Sequence, residues 1–462
     1  MLDRRGFLGT AVASAVLNSQ SKLRADVPPR PNIIFINSDD LGYGDLGCYG
    51  SRIPTPNLDR MAAEGVRFTQ YYAASNICSP SRAGLLTGRY STRVGVPYVL
   101  STPSSTSGLN VSETTMAETL KSAGYATMCL GKWHLGVQPQ YLPTRRGFDS
   151  FFGIPFSNDT HPVPMMENEQ IVQNSPAQET LIQQFTEQAV SKIANRQPSP
   201  FFMYLAYSAP HIPLFPSARF KGSTRMGTYA DVVAELDWCI GQVLQAVKDN
   251  GIDQNTLIIF SSDHGPWYQG SAGNLRGRKG ETWDGGLRVP FIARFPNVIE
   301  AGGVRTGMAT ALDILPTVAR LANAALPANR LDGVDIWPML TGEQTDVDRD
   351  VFLYFDGWNL QCARWGKWKL HVARNNTPAW TPAPAVGGLN LPLPSPELYD
   401  LEADPCEASD CSADNPDIVS QIRSRIAKML SSFPAEVQSN WSFCMSRRVD
   451  YVPSGGLPSL TP

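Results

Sequence analysis

The segment Asn32–Asn37 (NIIFIN) is a continuous apolar run ending in a polar residue. That pattern belongs to a strand buried on both faces of a parallel sheet. Similar runs recur at Ala126–Leu130, Phe201–Tyr207 and Leu257–Phe260. Between them, apolar residues fall at helical spacing in Asn57–Glu64, Thr115–Ser122 and the long stretch Tyr229–Lys248. Strands alternating with helices predict an α/β sandwich: a large, mixed, mostly parallel sheet with helices on both faces. Beyond about Gly342 the texture changes. Short β-type segments at Val351–Phe355, Lys367–Val372 and Glu397–Leu401 are separated by Trp, Gly and Pro, and a helical run follows near Ile418–Leu430. These predict a smaller C-terminal domain with an antiparallel sheet and a helix. The Pro-rich stretch Thr377–Pro396 reads as a surface loop.

The carboxyl ends of the four apolar strands carry unusual polar residues. Ser38-Asp39-Asp40 follows the first, Gly131-Lys132-Trp133-His134 the second, Pro210-His211 the third and Ser262-Asp263-His264-Gly265 the fourth. Ligands of open α/β sheets bind just beyond strand carboxyl ends, so four such clusters predict one shared site. Adjacent carboxylates such as Asp39 and Asp40 are costly to bury together unless a cation compensates them.

With 42% hydrophobic and 18% charged residues in 462, the chain has the balance of a globular protein large enough for two or three domains. A net charge of −3 gives no broad attraction to nucleic acid or anionic membrane, so an anionic substrate needs a local cluster of Lys, Arg and metal. Near the amino terminus, Arg4 and Arg5 precede Gly6-Phe7-Leu8 and an apolar run from Thr10 to Leu17 that is too short to span a bilayer. The RRGFLG string resembles a twin-arginine export signal, with cleavage expected near Ala25. It implies a bacterial periplasmic or secreted protein without a stable membrane anchor. Among eight cysteines, Cys406 and Cys411 are close enough for a small disulfide, and Cys129 in ATMCL reads as a buried strand residue. His161 and His371 have no chemical context and are expected in loops or at the surface.

Cys78 stands in Cys78-Ser79-Pro80-Ser81-Arg82-Ala83-Gly84-Leu85-Leu86-Thr87-Gly88. A Cys before Pro at the start of a helix is expected to be exposed at the helix N-terminus, where a thiol could have a lowered pKa. Alone, such a Cys is more often packed and inert. The string, however, resembles the C-x-P-x-R motif of the type I, formylglycine-dependent sulfatase family, and the match continues through L-T-G-R. A second stretch, Gly124 to His134, resembles the family's other signature, which ends in G-K-W-H. The resemblance runs on to LYDLEADP near residue 404 and implies an alkaline-phosphatase-like fold. Residues 1–25 are then the export signal, 26–345 the catalytic domain and 346–462 the C-terminal subdomain.

What the resemblance implies is a sulfuric ester hydrolase. A maturation enzyme converts Cys78 to formylglycine, whose hydrate is a geminal diol with one attacking hydroxyl and one that expels sulfate. Lys132 then holds the diol and sulfate oxygens, and His134 takes a proton from the second hydroxyl. Asp39, Asp40, Asp263, His264 and the residue made from Cys78 form the metal site. His264 stands where the family more often has Asn, and an oxygen-rich set favours calcium first and magnesium second. Ala209-Pro210-His211-Ile212-Pro213 resembles the segment whose histidine meets the ester oxygen. Arg278 to Pro290 resembles G-K-x-x-x-x-E-G-G-x-R-x-P with Asp284 in place of Glu, so Lys279 would bridge sulfate and leaving oxygen. Arg82 would brace the diol and a metal-bound Asp, and Ser157, in a string resembling the arylsulfatase A branch, would touch substrate. Arg288 reads as structural, paired with a buried carboxylate. The substrate is a sulfated small molecule or sulfated glycan. Two other readings stay open: a phosphatase or phosphonate monoester hydrolase of the same superfamily, and a non-enzymatic sulfated-glycan binder.

Overall fold

Strand β1 (Asn32–Ser38) is buried along its whole length. Its side chains alternate between two apolar cores, Ile33 and Phe35 in one, Ile34 and Ile36 in the other. A strand apolar at successive positions must be covered on both sides, and its neighbours do the same. The computed structural model describes residues 30–100, 104–375, 390–450 and 459–461, so the expected export signal at 1–25 lies outside the described residues.

The main sheet has ten strands. After β1 come β2 (Val66–Phe68), β3 (Ala126–Lys132), β4 (Ser150–Ile154), β5 (Met165–Glu167), β6 (Gln170–Gln173), β7 (Phe201–Ala206), β8 (Thr256–Ser262), β9 (Phe291–Arg294) and β10 (Gly303–Arg305). Their spatial order is β10-β2-β9-β8-β1-β7-β3-β4-β5-β6. The middle run β8-β1-β7-β3-β4 is parallel, with Ile34 level with Met203 on one side and Ile258 on the other. Antiparallel pairing appears toward the edges, at β9 with β8 and β2 and at β5 with β4 and β6. The mixed, mostly parallel sheet expected from the apolar runs is thus present, and the four strands with polar carboxyl ends are neighbours at its centre.

Helices α1 (Pro56–Ala63), α2 (Cys78–Thr87), α3 (Met116–Ser122), α4 (Leu181–Ala194), α5 (Thr228–Asp249) and α6 (Ile314–Ala322) pack on this sheet. Helices α1, α4 and α5 complete the core that holds Ile34, and α2, α3 and α6 complete the other. Helix α5 buries Val233, Leu236, Ile240, Val243 and Val247, a stripe at three- and four-residue spacing that sets its face toward the sheet. A capping box starts α3: Glu118 N donates to Thr115 Oγ1 at 3.1 Å, and Thr115 N donates to Glu118 Oε2 at 2.6 Å.

The C-terminal sheet is an antiparallel meander of β11 (Phe352–Asp356), β12 (Asn359–Trp365), β13 (Trp368–Asn375) and β14 (Asn390–Asp400). Beside it lie α7 (Pro416–Leu430) and a second helix, α8 (Ala435–Met445), that the sequence pattern did not suggest. Three sequence expectations are corrected here. Residues 390–396 are not surface loop: Asn390, Leu391 and Pro392 pair with Asn375, Arg374 and Ala373. Proline is tolerated there because β14 is an edge strand whose outer N–H groups need no ladder partner. His371 is neither loop nor surface but fully buried on β13. All eight cysteines are free thiols, so Cys406 and Cys411 are not bridged. Cys129 is buried on β3 and His161 is exposed in a loop, as expected. Among the described residues, no helix is long and apolar enough to cross a membrane.

Gly131, near the end of β3, has φ +99°, and a Cβ there would lie 1.9 Å from the carbonyl oxygen of Ala206 on β7. Only glycine satisfies both demands. Gly131→Ala is expected to destabilise the protein by about 3 kcal/mol or more, since left-handed strain adds to a backbone clash. Chemical denaturation measures the loss, and an unchanged midpoint would contradict this account of the strand end.

Candidate active site

Pairing between the central strands continues past their formal ends and places the first polar residues. Asp39 N donates to Ala209 O at 3.0 Å, and Asp263 N donates to Ser38 O at 3.1 Å. Asp40 turns away from extended geometry with φ +66°, a region that a short polar side chain tolerates. Gly131, with φ +99°, and His134, with φ +60°, end the regular geometry of β3. Residues two apart share a strand face, and Lys132 and His134 both reach the cluster. The backbone of His134 is held by Pro155 O at 3.1 Å.

Cys78 is the first residue of α2, with Pro80 in the opening turn. Its side chain is not exposed, as the sequence suggested, but buried at 3% accessibility, because the helix N-terminus points into the sheet's carboxyl edge. Its Sγ lies 3.1 Å from His264 Nε2 and 3.7 Å from Asp39 Oδ1. One turn further on the same face stands Arg82. Its Nε donates to Asp263 Oδ2 at 3.0 Å and its NH1 to Lys132 O at 3.0 Å, while NH2 lies 3.5 Å from Asp39 Oδ2. Ser81 Oγ donates to the Asp263 carbonyl, so α2 is tied to the end of β8 at two points.

The remaining residues close the ring. Lys132 Nζ donates to Asp39 Oδ2 at 2.5 Å and to Ser157 Oγ at 3.1 Å. Lys279 Nζ donates to Asp40 Oδ1 at 2.7 Å, and His211 Nε2 is 3.8 Å from Asp40 Oδ2. His264 Nε2 is 3.5 Å from Asp40 Oδ1 and 3.4 Å from Asp263 Oδ1. The structure therefore brings together every site residue named from the sequence. Arg288 stays outside, with Nε on Thr69 O at 2.6 Å and NH1 3.7 Å from buried Asp284, as its structural reading expects.

Two groups of possible metal-ligand atoms overlap here: Asp39, Cys78, Asp263 and His264, and Asp39, Asp40, Cys78 and His211, each set within 4.8 Å. Burial pushes the Asp39 and Asp40 carboxyls up, but Lys132, His211, Arg82 and Lys279 around the first and Lys279, His211 and His264 around the second outweigh it and hold both below the usual range. Asp263 is pushed up by burial and by the charge of Asp39. A carboxylate still pushed up with Arg82 and Lys132 beside it leaves room for one more positive charge, so the donor set fits a metal ion. Burial and the cations Lys132 and Arg82 push the His134 imidazole well below its ordinary value, leaving it neutral. Neither of its ring nitrogens has a hydrogen-bond partner among the described residues. A buried neutral imidazole with both nitrogens unpaired implies a missing polar neighbour. His211 behaves oppositely: burial opposes its charge, but Asp40 and Asp39 raise it overall.

Sequence reading missed the supports of Lys279. Lys279 N donates to Pro266 O at 3.0 Å, and Gly280 N donates to Asn76 O at 2.8 Å, two residues before Cys78. It also passed over Lys369 and placed His371 at the surface, although WKLHV interleaves these two polar residues with apolar ones in strand fashion.

The comparisons with known proteins agree with this geometry. The family model Sulfatase matches residues 31–324, and a model described as the C-terminal region of aryl-sulfatase matches residues 347–450. Human arylsulfatase A is 39% identical over 419 residues, covering 82% of each chain. N-acetylgalactosamine-6-sulfatase of Mus musculus is 37% identical over 392 residues, covering 77% of this chain and 75% of its own. The crystal structure of Ps i-CgsB in complex with k-i-k-neocarrahexaose superposes with a TM-score of 0.77 at 30% identity, over 90% of this chain and 98% of that one. The architecture is the alkaline-phosphatase-like one shared by these structures. The matched models span both sheets and include each strand end that feeds the buried cluster, and on that ground the chain belongs to the sulfatase family and is a sulfuric ester hydrolase.

Proposed function

We propose that this sulfatase cleaves sulfate monoesters with a formylglycine made from Cys78 and a calcium ion held by Asp39, Asp40, Asp263, His264 and the modified residue. The observation that carries this reading is the placement of Cys78: it begins a buried helix, faces three carboxylates, and shares the cluster with a neutral, unpartnered His134. The hydrated aldehyde supplies a nucleophilic hydroxyl toward sulfur and a second hydroxyl whose ionisation releases sulfate. A bound calcium ion supplies charge that acidifies an oxygen ligand and draws the sulfate oxygens in. Oxygen donors dominate the set, which favours calcium, with magnesium second and His264 as the softer exception.

The chain's own residues do the rest. Arg82 fixes Asp39 and Asp263 through a planar fork and so sets the ligand geometry. Lys132, between Asp39 and Ser157, is placed to hold sulfate oxygens, with Ser157 as a further polar contact. His134 is suited to accept the proton of the second hydroxyl because its surroundings keep it neutral. His211 is pushed toward its charged form by Asp40 and Asp39 against the opposing effect of burial, and is suited to donate to the leaving oxygen. Lys279, on the same carboxylate, offsets charge growing on that oxygen in the transition state.

A carbohydrate sulfate is the proposed substrate class. The relatives named above for N-acetylgalactosamine-6-sulfate and for a neocarrahexaose complex support it. The proposal includes a maturation enzyme that oxidises Cys78 and export to the periplasm or medium, which the Arg4-Arg5 string supports. Residues 26–345 are proposed as the catalytic domain and 346–462 as its C-terminal subdomain.

Cys78→Ala is expected to lower kcat on an aryl sulfate by about a thousandfold or more while leaving the unfolding transition in place. A mass spectrum of the wild-type peptide should show Cys78 with oxygen in place of sulfur at the aldehyde level. Retained activity in the variant, or an unmodified active enzyme, would sink the mechanism. Chelation is expected to abolish turnover, with recovery on adding calcium and weaker recovery with magnesium. Full activity in excess chelator would refute the metal assignment. His264→Asn should keep activity within about threefold, since an amide oxygen is also a suitable hard ligand. Faster hydrolysis of the matching phosphate ester than of the sulfate would overturn the choice of substrate.

A further inference from the structure

Lys279 is not carried by the main sheet. It sits at the middle of a segment, residues 276–287, that crosses from β8 to β9. Its inner side is held by the Pro266 and Asn76 carbonyls. Its outer side is held by the C-terminal sheet and the turn after β14, with Tyr72 Oη of the main domain also donating to Asp284 Oδ2 at 2.7 Å. Arg276 NH1 donates to Glu407 O at 2.9 Å, three residues before Lys279. Three residues after it, Thr282 Oγ1 donates to Gln361 Oε1 at 2.8 Å. The ring of Trp283 lies 4.2 Å from that of His371, with the Arg276 guanidinium 3.7 Å from its centre. Asp284 N donates to Glu407 Oε2 at 2.7 Å.

Behind these contacts lies a buried ionic cluster that no step of the reaction uses. Lys369 Nζ is 2.9 Å from both Asp284 Oδ1 and Glu407 Oε1, and His371 Nε2 is 2.8 Å from the same Glu407 oxygen. Glu407, Lys369, Asp284 and His371 are all fully buried. Such a cluster is a poor way to gain stability, because apolar side chains of similar volume often hold an interface as well or better. What it offers is bonds of fixed direction. Glu407 also has φ +52°, an uncommon backbone state for a residue of its type, retained here where one side chain and its own carbonyl grip both flanks of the segment.

We infer that Glu407, seated on Lys369 and His371, is a positioning residue for the sulfatase reaction: by holding Arg276 and Asp284 it sets where Lys279 meets the leaving oxygen. The inference rests on the leaving-group role proposed above for Lys279. It makes the C-terminal sheet part of the catalytic apparatus without any contact to substrate.

The test is a series of aryl sulfates of graded leaving-group acidity, turned over by the mature, metal-loaded enzyme. Lys279→Ala should steepen the dependence of kcat/KM on leaving-group acidity, because poor leaving groups lose the charge that offsets theirs. Glu407→Ala should steepen it in the same sense, with kcat/KM falling roughly thirtyfold for phenyl sulfate but only about threefold for 4-nitrophenyl sulfate. Glu407→Gln keeps an acceptor for Asp284 N but turns its amide N–H groups toward Lys369, so its slope should fall between those of the wild type and Glu407→Ala. If Glu407→Ala does not fold, Arg276→Ala, an exposed side chain, should give the same change in slope at smaller amplitude. A thermal unfolding scan separates lost fold from lost position. A wild-type slope in the folded Glu407 and Arg276 variants, beside a steep Lys279→Ala, overturns the positioning role alone. A wild-type slope in Lys279→Ala removes the leaving-group role and this inference with it.

Discussion

Three carboxylates without solvent, Asp39, Asp40 and Asp263, are the constraint around which the rest of the molecule is arranged. Desolvating them is unfavourable by several kcal/mol each unless positive charge stands close. Arg82, Lys132 and Lys279 meet that demand from three separate elements: a helix, a strand end and a loop. Each cation is held by the carboxylates it neutralises, so removal of any one leaves a buried charge uncompensated. Three cations are thus gathered in one buried cluster although the chain as a whole is slightly acidic.

This arrangement depends on a parallel sheet. Because β8, β1, β7 and β3 point the same way, their carboxyl ends lie along one edge, and four sequence-distant clusters converge there. Two local departures from regular geometry complete the convergence. Gly131 permits close approach to β7, and the left-handed turn at Asp40 brings its carboxylate beside that of Asp39, which a regular strand would send to the opposite face. Helix α2 then brings its N-terminus to the same edge, where backbone N–H groups favour an oxyanion.

The C-terminal sheet has a less obvious part. With the turn after β14 it closes the outer side of the Lys279 segment through Gln361, His371 and Glu407, so the site's last cation depends on residues far along the chain. This cluster replaces a simple apolar seam with directed bonds, as expected where position matters more than stability.

The sequence by itself determined the strand and helix alternation, because apolar periodicity reports burial directly, and it marked the residues that converge in the buried cluster, because their strand-end clusters and motifs are local. It also identified Arg288 as structural from context alone. It did not determine the environment of those residues. The thiol of Cys78 reads as exposed from its helix start but is buried, since helix orientation relative to the sheet is set by packing. The edge strand from Asn390 reads as loop because proline is disfavoured in strands, and only an open sheet edge admits it. Glu407 carries no local signal, and the alternation around His371 does not name its partner; folding of β13 against the turn after β14 brings the two together. Tertiary structure alone decided which charges are desolvated, and therefore which imidazole is kept neutral, which is pushed toward its charged form, and where a cation fits.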